Sequence, residues 1–279
     1  VSGIKSWEGS QTRARKLDKK LPTLAESMVD RGYQALAVSA NPVVSKNLGL
    51  MRGFEASVVS PRWGKLMDEE LPDAVAEILA NERDSTRPLF LFVNISDAHQ
   101  PWKPVPRGAL GDADAQPRLD YARSKESDPW RRFVAGTMPP EEMEIYAAGA
   151  RDSYDYGVWR ADHNVQQLLE TLDEQGVCDE GCRFVLTSDH GEFLGEHGLL
   201  DHGNYVYESM VRVPIMTWGW DGPDLDGVKS ALVAHGLVLN GLLSQDPLPM
   251  RAWAWPHARR CKMSNGRAFC NMSVAVRDG

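Results

Sequence analysis

Short apolar strands that return between amphipathic helices limit the fold more than any other feature of this chain. Pro88-Leu89-Phe90-Leu91-Phe92-Val93-Asn94-Ile95 is the most strand-like run. Gln34-Ala35-Leu36-Ala37-Val38-Ser39 and the segment Arg183-Phe184-Val185-Leu186, running on to Ser188, have the same buried character. Between them, Asp68 to Arg83 places Leu71, Val75, Ile78 and Leu79 on one helical face. A second helix, from Tyr154 to about Gln175, turns Val158, Val165, Leu168, Leu169 and Leu172 inward and is closed by Gly176. A shorter helix opens with the capping-box spacing Thr23 to Glu26 and ends at Gly32. Strand, helix, strand in this order predicts an α/β fold, with a mainly parallel central sheet and helices on both faces.

The 279 residues are enough for one large α/β domain with an appendage. The pattern weakens after Val213-Pro214-Ile215-Met216, so the expected division is 1–220 as the main domain and 221–279 as a small, partly β subdomain. Gln100 to about Pro140 is rich in Pro, Gly, Asp and Arg without clear periodicity, and is expected to be a functional or mobile insertion. Its arginines, Arg107, Arg118, Arg123, Arg131 and Arg132, are read as a solvated charged loop in preference to a surface for a polyanionic sugar.

A formal net charge of −8 argues against nucleic acid as a partner, but not against a small anion held by a local field. No apolar run reaches the roughly twenty residues of a membrane span, and no signal-peptide pattern opens the sequence. Cys261 and Cys270 flank Ser264-Asn265-Gly266, a hairpin signal that would make them cross-strand neighbours, either bridged or as free thiols. The compartment, cytoplasmic or exported, is left open by these four cysteines.

Chemistry concentrates after the third strand. Thr187-Ser188-Asp189-His190-Gly191-Glu192, with His197 and His202 close behind, gathers three of the chain's seven histidines. Asp189 offers hard oxygen and His190 imidazole nitrogen where a strand ends, which suits a metal ion. The earlier strand runs into Ser96-Asp97-Ala98-His99-Gln100-Pro101-Trp102, which puts His99 on the same rim of a parallel sheet. Trp102 is a candidate substrate wall, whereas the other tryptophans are read as core or loop anchors, and Asp162-His163 as a solvent-facing pair.

The extended run Ser188-Asp189-His190-Gly191-Glu192-Phe193-Leu194-Gly195-Glu196-His197-Gly198, followed by His202 and Tyr207-Glu208-Ser209-Met210-Val211-Arg212-Val213-Pro214, resembles the sulfatase family of the alkaline phosphatase superfamily. The family pattern is S-D-H/N-G-x-x-L-G-x-H-G, a Lys or His, then Y-x-E-x-x-R-V-P. Leu21-Pro22-Thr23-Leu24-Ala25-Glu26 with Gly32-Tyr33, Leu50 to Phe54, Asp97 to Trp102 and Tyr154 to Asp162 resemble further segments of that family. The likeness spans most of residues 20 to 216.

The resemblance implies an alkaline phosphatase-like fold and hydrolysis of a sulfuric ester, on a small-molecule or saccharide sulfate. It implies that Asp189 and His190 are two ligands of a divalent cation (Mn, Zn or Ca) and that His99 hydrogen-bonds the substrate's anionic group or leaving oxygen. His202 stands where the family has a Lys or His that contacts the sulfuryl group and assists departure of the alcohol, while His197 is expected to make a structural contact. The family also needs two more acidic ligands and a Cys or Ser in a C/S-x-P/A-x-R context that becomes formylglycine. Neither is recognised in the sequence, and no cysteine stands in that context. By that comparison Val1 falls just after the nucleophile helix, so the sequence is expected to be an internal fragment, inactive alone. Phosphate or phosphonate monoester hydrolysis and a non-catalytic binding role are the alternatives.

Overall fold

A computed structural model describes residues 17–62, 70–112, 114–202, 207–221, 225, 233–241, 259–264 and 267–271. Along them run α1 (Leu24–Val29), β1 (Gln34–Ser39), β2 (Ala56–Val59), α2 (Glu70–Glu82) and β3 (Leu89–Asn94). Next come α3 (Ala115–Ala122), α4 (Pro129–Val134), α5 (Pro140–Glu174) and β4 (Phe184–Thr187). They are followed by β5 (Phe193–Leu194), β6 (Leu200–Asp201), α6 (Glu208–Val211), β7 (Ile215–Trp218) and α7 (Val233–Gly241). A last pair is β8 (Arg259–Ser264) and β9 (Arg267–Asn271). Two compact units divide the chain: one draws on residues 1–97, 160–186 and 215–250, the other on 98–159, 187–214 and 251–279.

In the first unit β1 lies between β2 and β3, parallel to both, with Val38 opposite Val58 on one side and Val93 on the other. Every residue of β1 is buried, as a central strand covered on both faces requires. Leu36 and Val38 join Leu71, Val75, Ile78 and Leu79 of α2 and Leu172 of α5 in one apolar cluster. Ala35 and Ala37 alternate to the opposite face. Their partners in register, Phe90 and Phe92, meet Phe54 there at 5.9 and 6.0 Å between ring centroids. The capping box of α1 forms as its spacing predicts: Thr23 Oγ1 accepts from Glu26 N at 3.1 Å, and Glu26 Oε2 accepts from Thr23 N at 2.7 Å. Pairing with β7 places β4 in a separate ladder, with Phe184 stacked on Trp218 at 4.8 Å. A disulfide between Cys178 and Cys182, which the sequence reading did not single out, closes the turn between α5 and β4.

The second unit corrects the reading of residues 100–140. Instead of an irregular insertion, the segment carries α3 and α4, and α5 starts at Pro140, well before Tyr154. Ala115 and Leu119 pack with Val105, and Tyr146, Ala147 and Ala150 of α5 pack with Leu200. These helices are short, and their apolar partners are distant in sequence, so little periodicity was there to read. Two of the segment's five arginines are also more structural than expected. Arg118 pairs with Asp112 at 2.6 Å and with Asp152, and Arg132 grips Glu142 at 2.5 and 2.9 Å. β8 and β9 form an antiparallel hairpin with Ser264 opposite Arg267, as Asn265-Gly266 predicts. The side chains of Cys261 and Cys270 lie outside the described residues.

Candidate functional site

The second unit brings three of the sequence-selected histidines together. His202 is the middle ring: its centroid lies 4.7 Å from His99 and 4.6 Å from His190. His99 follows β3 in the chain, and His190 follows β4, so both arrive from strand ends. His202 arrives differently. The two-residue strands β5 and β6 pair antiparallel, Phe193 with Asp201 and Leu194 with Leu200. Glu192 and His202 flank the last pair of that ladder.

The hairpin gives His202 two acidic partners. Its Nδ1 lies 3.1 Å from Glu192 Oε2 and 3.0 Å from Asp201 Oδ1. Glu192 is deeply buried, with 5% of its side chain exposed. The hydrogen bonds to Asp201 and then Glu192 push the His202 ring up to about 10, against the opposing effect of burial. His202 is therefore an imidazolium at neutral pH, with a charge as persistent as that of a lysine, whose ordinary value is about 10.4. Burial works against the Asp201 carboxylate, yet the His202 contacts prevail and hold it below the usual carboxylate range.

His99 behaves in the opposite way. Burial holds it below the ordinary imidazole range, and the nearby His202 charge adds to this. Its Nδ1 faces the Gln100 carbonyl, so Nδ1 carries the hydrogen and the lone pair of the neutral ring sits on Nε2. Trp102, the candidate substrate wall, is half-buried and anchored: its indole N–H donates to the Ala98 carbonyl at 3.0 Å, and its ring meets Tyr154 edge-on at 6.5 Å. His197 stacks on Tyr207 at 4.1 Å with a left-handed backbone, φ 57°, a structural arrangement of the loop.

The cation pair can be tested against ligand geometry. His190 Nδ1 hydrogen-bonds the Gly191 carbonyl at 2.8 Å, which turns the lone pair to Nε2. Asp189 Oδ1 lies 3.9 Å from that Nε2, and 85% of the Asp189 side chain is exposed. With ligand bonds of about 2.1 Å, one ion reaches both atoms only at a donor–metal–donor angle of roughly 135°, wider than tetrahedral. The donor set, one carboxylate and one imidazole, suits Mn or Zn. Gly191 holds this turn in place. Its N–H donates to the Met210 carbonyl at 2.8 Å, and an added Cβ would stand 2.0 Å from the Ser209 carbonyl oxygen.

The sequence reading missed Glu192 and Asp201 as partners of His202. The signal was available only as alternation through the Phe193–Asp201 hairpin, which is too short to register as strand. In the first unit, Asp97 of the D-x-H element has a structural place: its side chain, 1% exposed, accepts from Asn164 at 2.9 Å and pairs with Arg160 at 3.3 Å. One run, Ser273-Val274-Ala275-Val276-Arg277, fits the letters of C/S-x-P/A-x-R. It comes after the metal-strand segments, the reverse of the family order, and lies outside the described residues.

The sulfatase family profile matches residues 6–244. A choline-sulfatase of Rhizobium meliloti is 28% identical over 147 residues, 50% of this chain and 28% of that protein. An arylsulfatase of Clostridium perfringens is 23% identical over 203 residues, 68% of this chain and 38% of that protein. The matches thus span well under half the length of these curated relatives. A solved structure of a protein in complex with its substrate, D-glucosamine-2-N,6-O-disulfate, superposes with a TM-score of 0.58 at 18% identity, covering 91% of this chain and 72% of that one. The fold is the alkaline phosphatase-like α/β fold of such proteins.

Proposed function

The chain belongs to the sulfatase family, and from that premise we propose that the protein carrying it hydrolyses a sulfate monoester, releasing an alcohol and sulfate. The observation that carries this reading is the histidine cluster, with His202 between His99 and His190 and two carboxylates on its Nδ1. The names of the relatives, choline-sulfatase and arylsulfatase, share a sulfate ester and differ in the alcohol. The proposed recognition accordingly centres on the sulfate group, with the alcohol open to small molecules and saccharides.

Each residue has a task in that reaction. Negative charge grows on the bridging oxygen as the S–O bond breaks, and a fixed donor beside it lowers the barrier. His202 supplies that donor: its Nε2–H hydrogen-bonds the bridging oxygen and passes its proton to the departing alkoxide, leaving the ring neutral until solvent recharges it. His99, neutral, hydrogen-bonds the leaving oxygen by accepting its new hydroxyl hydrogen on Nε2. Asp189 and His190 would hold a divalent cation, Mn, Zn or Ca, which when bound draws charge from the sulfuryl oxygens. The nucleophile, a formylglycine, and the remaining acidic ligands are assigned to a segment outside these 279 residues, since none of the four cysteines has the required context.

The test is turnover of an aryl sulfate and an aryl phosphate by the full-length gene product. Sulfate hydrolysis that falls about 100-fold or more in His202→Ala is expected, the scale of a lost acid or charge donor. Faster phosphate hydrolysis would replace the reading with phosphoryl chemistry, and turnover of neither would leave a binding protein. This chain by itself is expected to show no turnover, and sulfate hydrolysis by it that His202→Ala abolishes would overturn the assignment of the nucleophile.

A further inference from the structure

We propose that Glu192 and Asp201 are positioning residues for His202: they bind its Nδ1–H jointly, fixing the ring plane so that Nε2 is the edge offered to the ester. The inference rests on the sulfate-ester reading for its kinetic arm alone.

Three features of the second unit carry it. The first is register. Phe193 pairs with Asp201 and Leu194 with Leu200, so Glu192 and His202 flank the last pair of the hairpin, and their side chains meet just beyond it. The second is that one ring nitrogen meets two carboxylate oxygens, at 3.1 and 3.0 Å. One acceptor would satisfy Nδ1–H. Two, from opposite strands, also restrain rotation of the ring about its bond to the main chain.

The third is the way Glu192 is spent. Its side chain is 5% exposed, and its other oxygen, Oε1, is buried without a hydrogen-bond partner among the described residues. A buried carboxylate kept for structure alone normally has both oxygens satisfied. Among the described residues, the hydrogen bond of the Glu192 side chain goes to His202. Asp201, just before His202, has φ +70°, a left-handed conformation uncommon for a non-glycine residue.

The experiment combines imidazole proton–nitrogen NMR of this chain with kinetics of the full-length product. In the unaltered chain His202 should give a slowly exchanging Nδ1–H resonance, shifted downfield by its carboxylate acceptors. Glu192→Ala should bring that proton into faster exchange and lower kcat on an aryl sulfate about 10- to 100-fold, within the range of a misaligned donor, with KM changed little. Glu192→Gln keeps an acceptor of the same shape and should recover most of the kcat, with the Nδ1–H resonance moved upfield. An Nδ1–H signal that neither substitution alters overturns the proposal. If Glu192→Ala does not fold, the upfield shift in Glu192→Gln decides alone. Should the full-length product hydrolyse no sulfate, the NMR arm still decides the positioning, and only the function reading falls.

Discussion

Single residues here show how much a motif leaves unsaid. Asp189, His190, His99 and His202 stood out as candidates because their residue types are rare, and each comes soon after a strand or motif run. Glu192 and Asp201 were visible as letters but not as partners, because their meeting depends on a hairpin register that no local pattern announces. Gly191 is explained only by its neighbour: the Ser209 carbonyl oxygen would lie 2.0 Å from an added Cβ. Gly191→Ala is therefore expected to destabilise the protein by about 1–3 kcal/mol, the usual penalty for overpacking, seen as a lower urea midpoint with an unchanged slope. A midpoint equal to that of the unaltered protein would mean that the turn relaxes at no cost.

At the level of elements, the sequence was most informative where an element makes its own signals. β1 spans the residues its apolar run predicts, and the capping box of α1 needs only Thr23 and Glu26. α3 and α4 were missed because their stability comes from contacts with α5 and from ion pairs, neither of which has a short-range signature. One ion pair of the first unit yields a pH prediction. Arg87 donates to both oxygens of Glu55, at 3.0 and 2.9 Å, and to the Tyr33 carbonyl, tying the entrances of β1, β2 and β3. The Arg87 hydrogen bonds hold Glu55 below the usual carboxylate range. A lowered folded value means the pair stabilises above the unfolded value of about 4.3 and loses that contribution as pH falls through the folded one. The stability gap between the unaltered protein and Arg87→Met should thus be steady near neutrality and shrink below about pH 4, read from thermal midpoints across that range. A gap that stays constant into acid would assign the stabilisation to the backbone contact of Arg87 instead.

For the whole molecule, the two units are each discontinuous in sequence, so no single cut in the chain isolates either one. An expected boundary near residue 220 follows the decline of strand and helix signals, whereas compactness follows contacts between stretches far apart. The proposed cation pair, Asp189 and His190, offers two ligand atoms, fewer than the four of a closed zinc site. Titration of this chain with zinc is therefore expected to give weak uptake, lost in the Asp189→Asn, His190→Ala double variant, as followed by calorimetry. Tight stoichiometric uptake would mean that the chain completes the coordination by itself.

The bridge between Cys178 and Cys182 closes a loop whose tip, Asp179-Glu180-Gly181, is fully open to solvent. A glutamate-specific protease cutting after Glu180 would sever the backbone without parting the two pieces. They would travel as one species on a gel until a thiol reagent let them go, so at this turn the integrity of the molecule does not rest on an unbroken main chain.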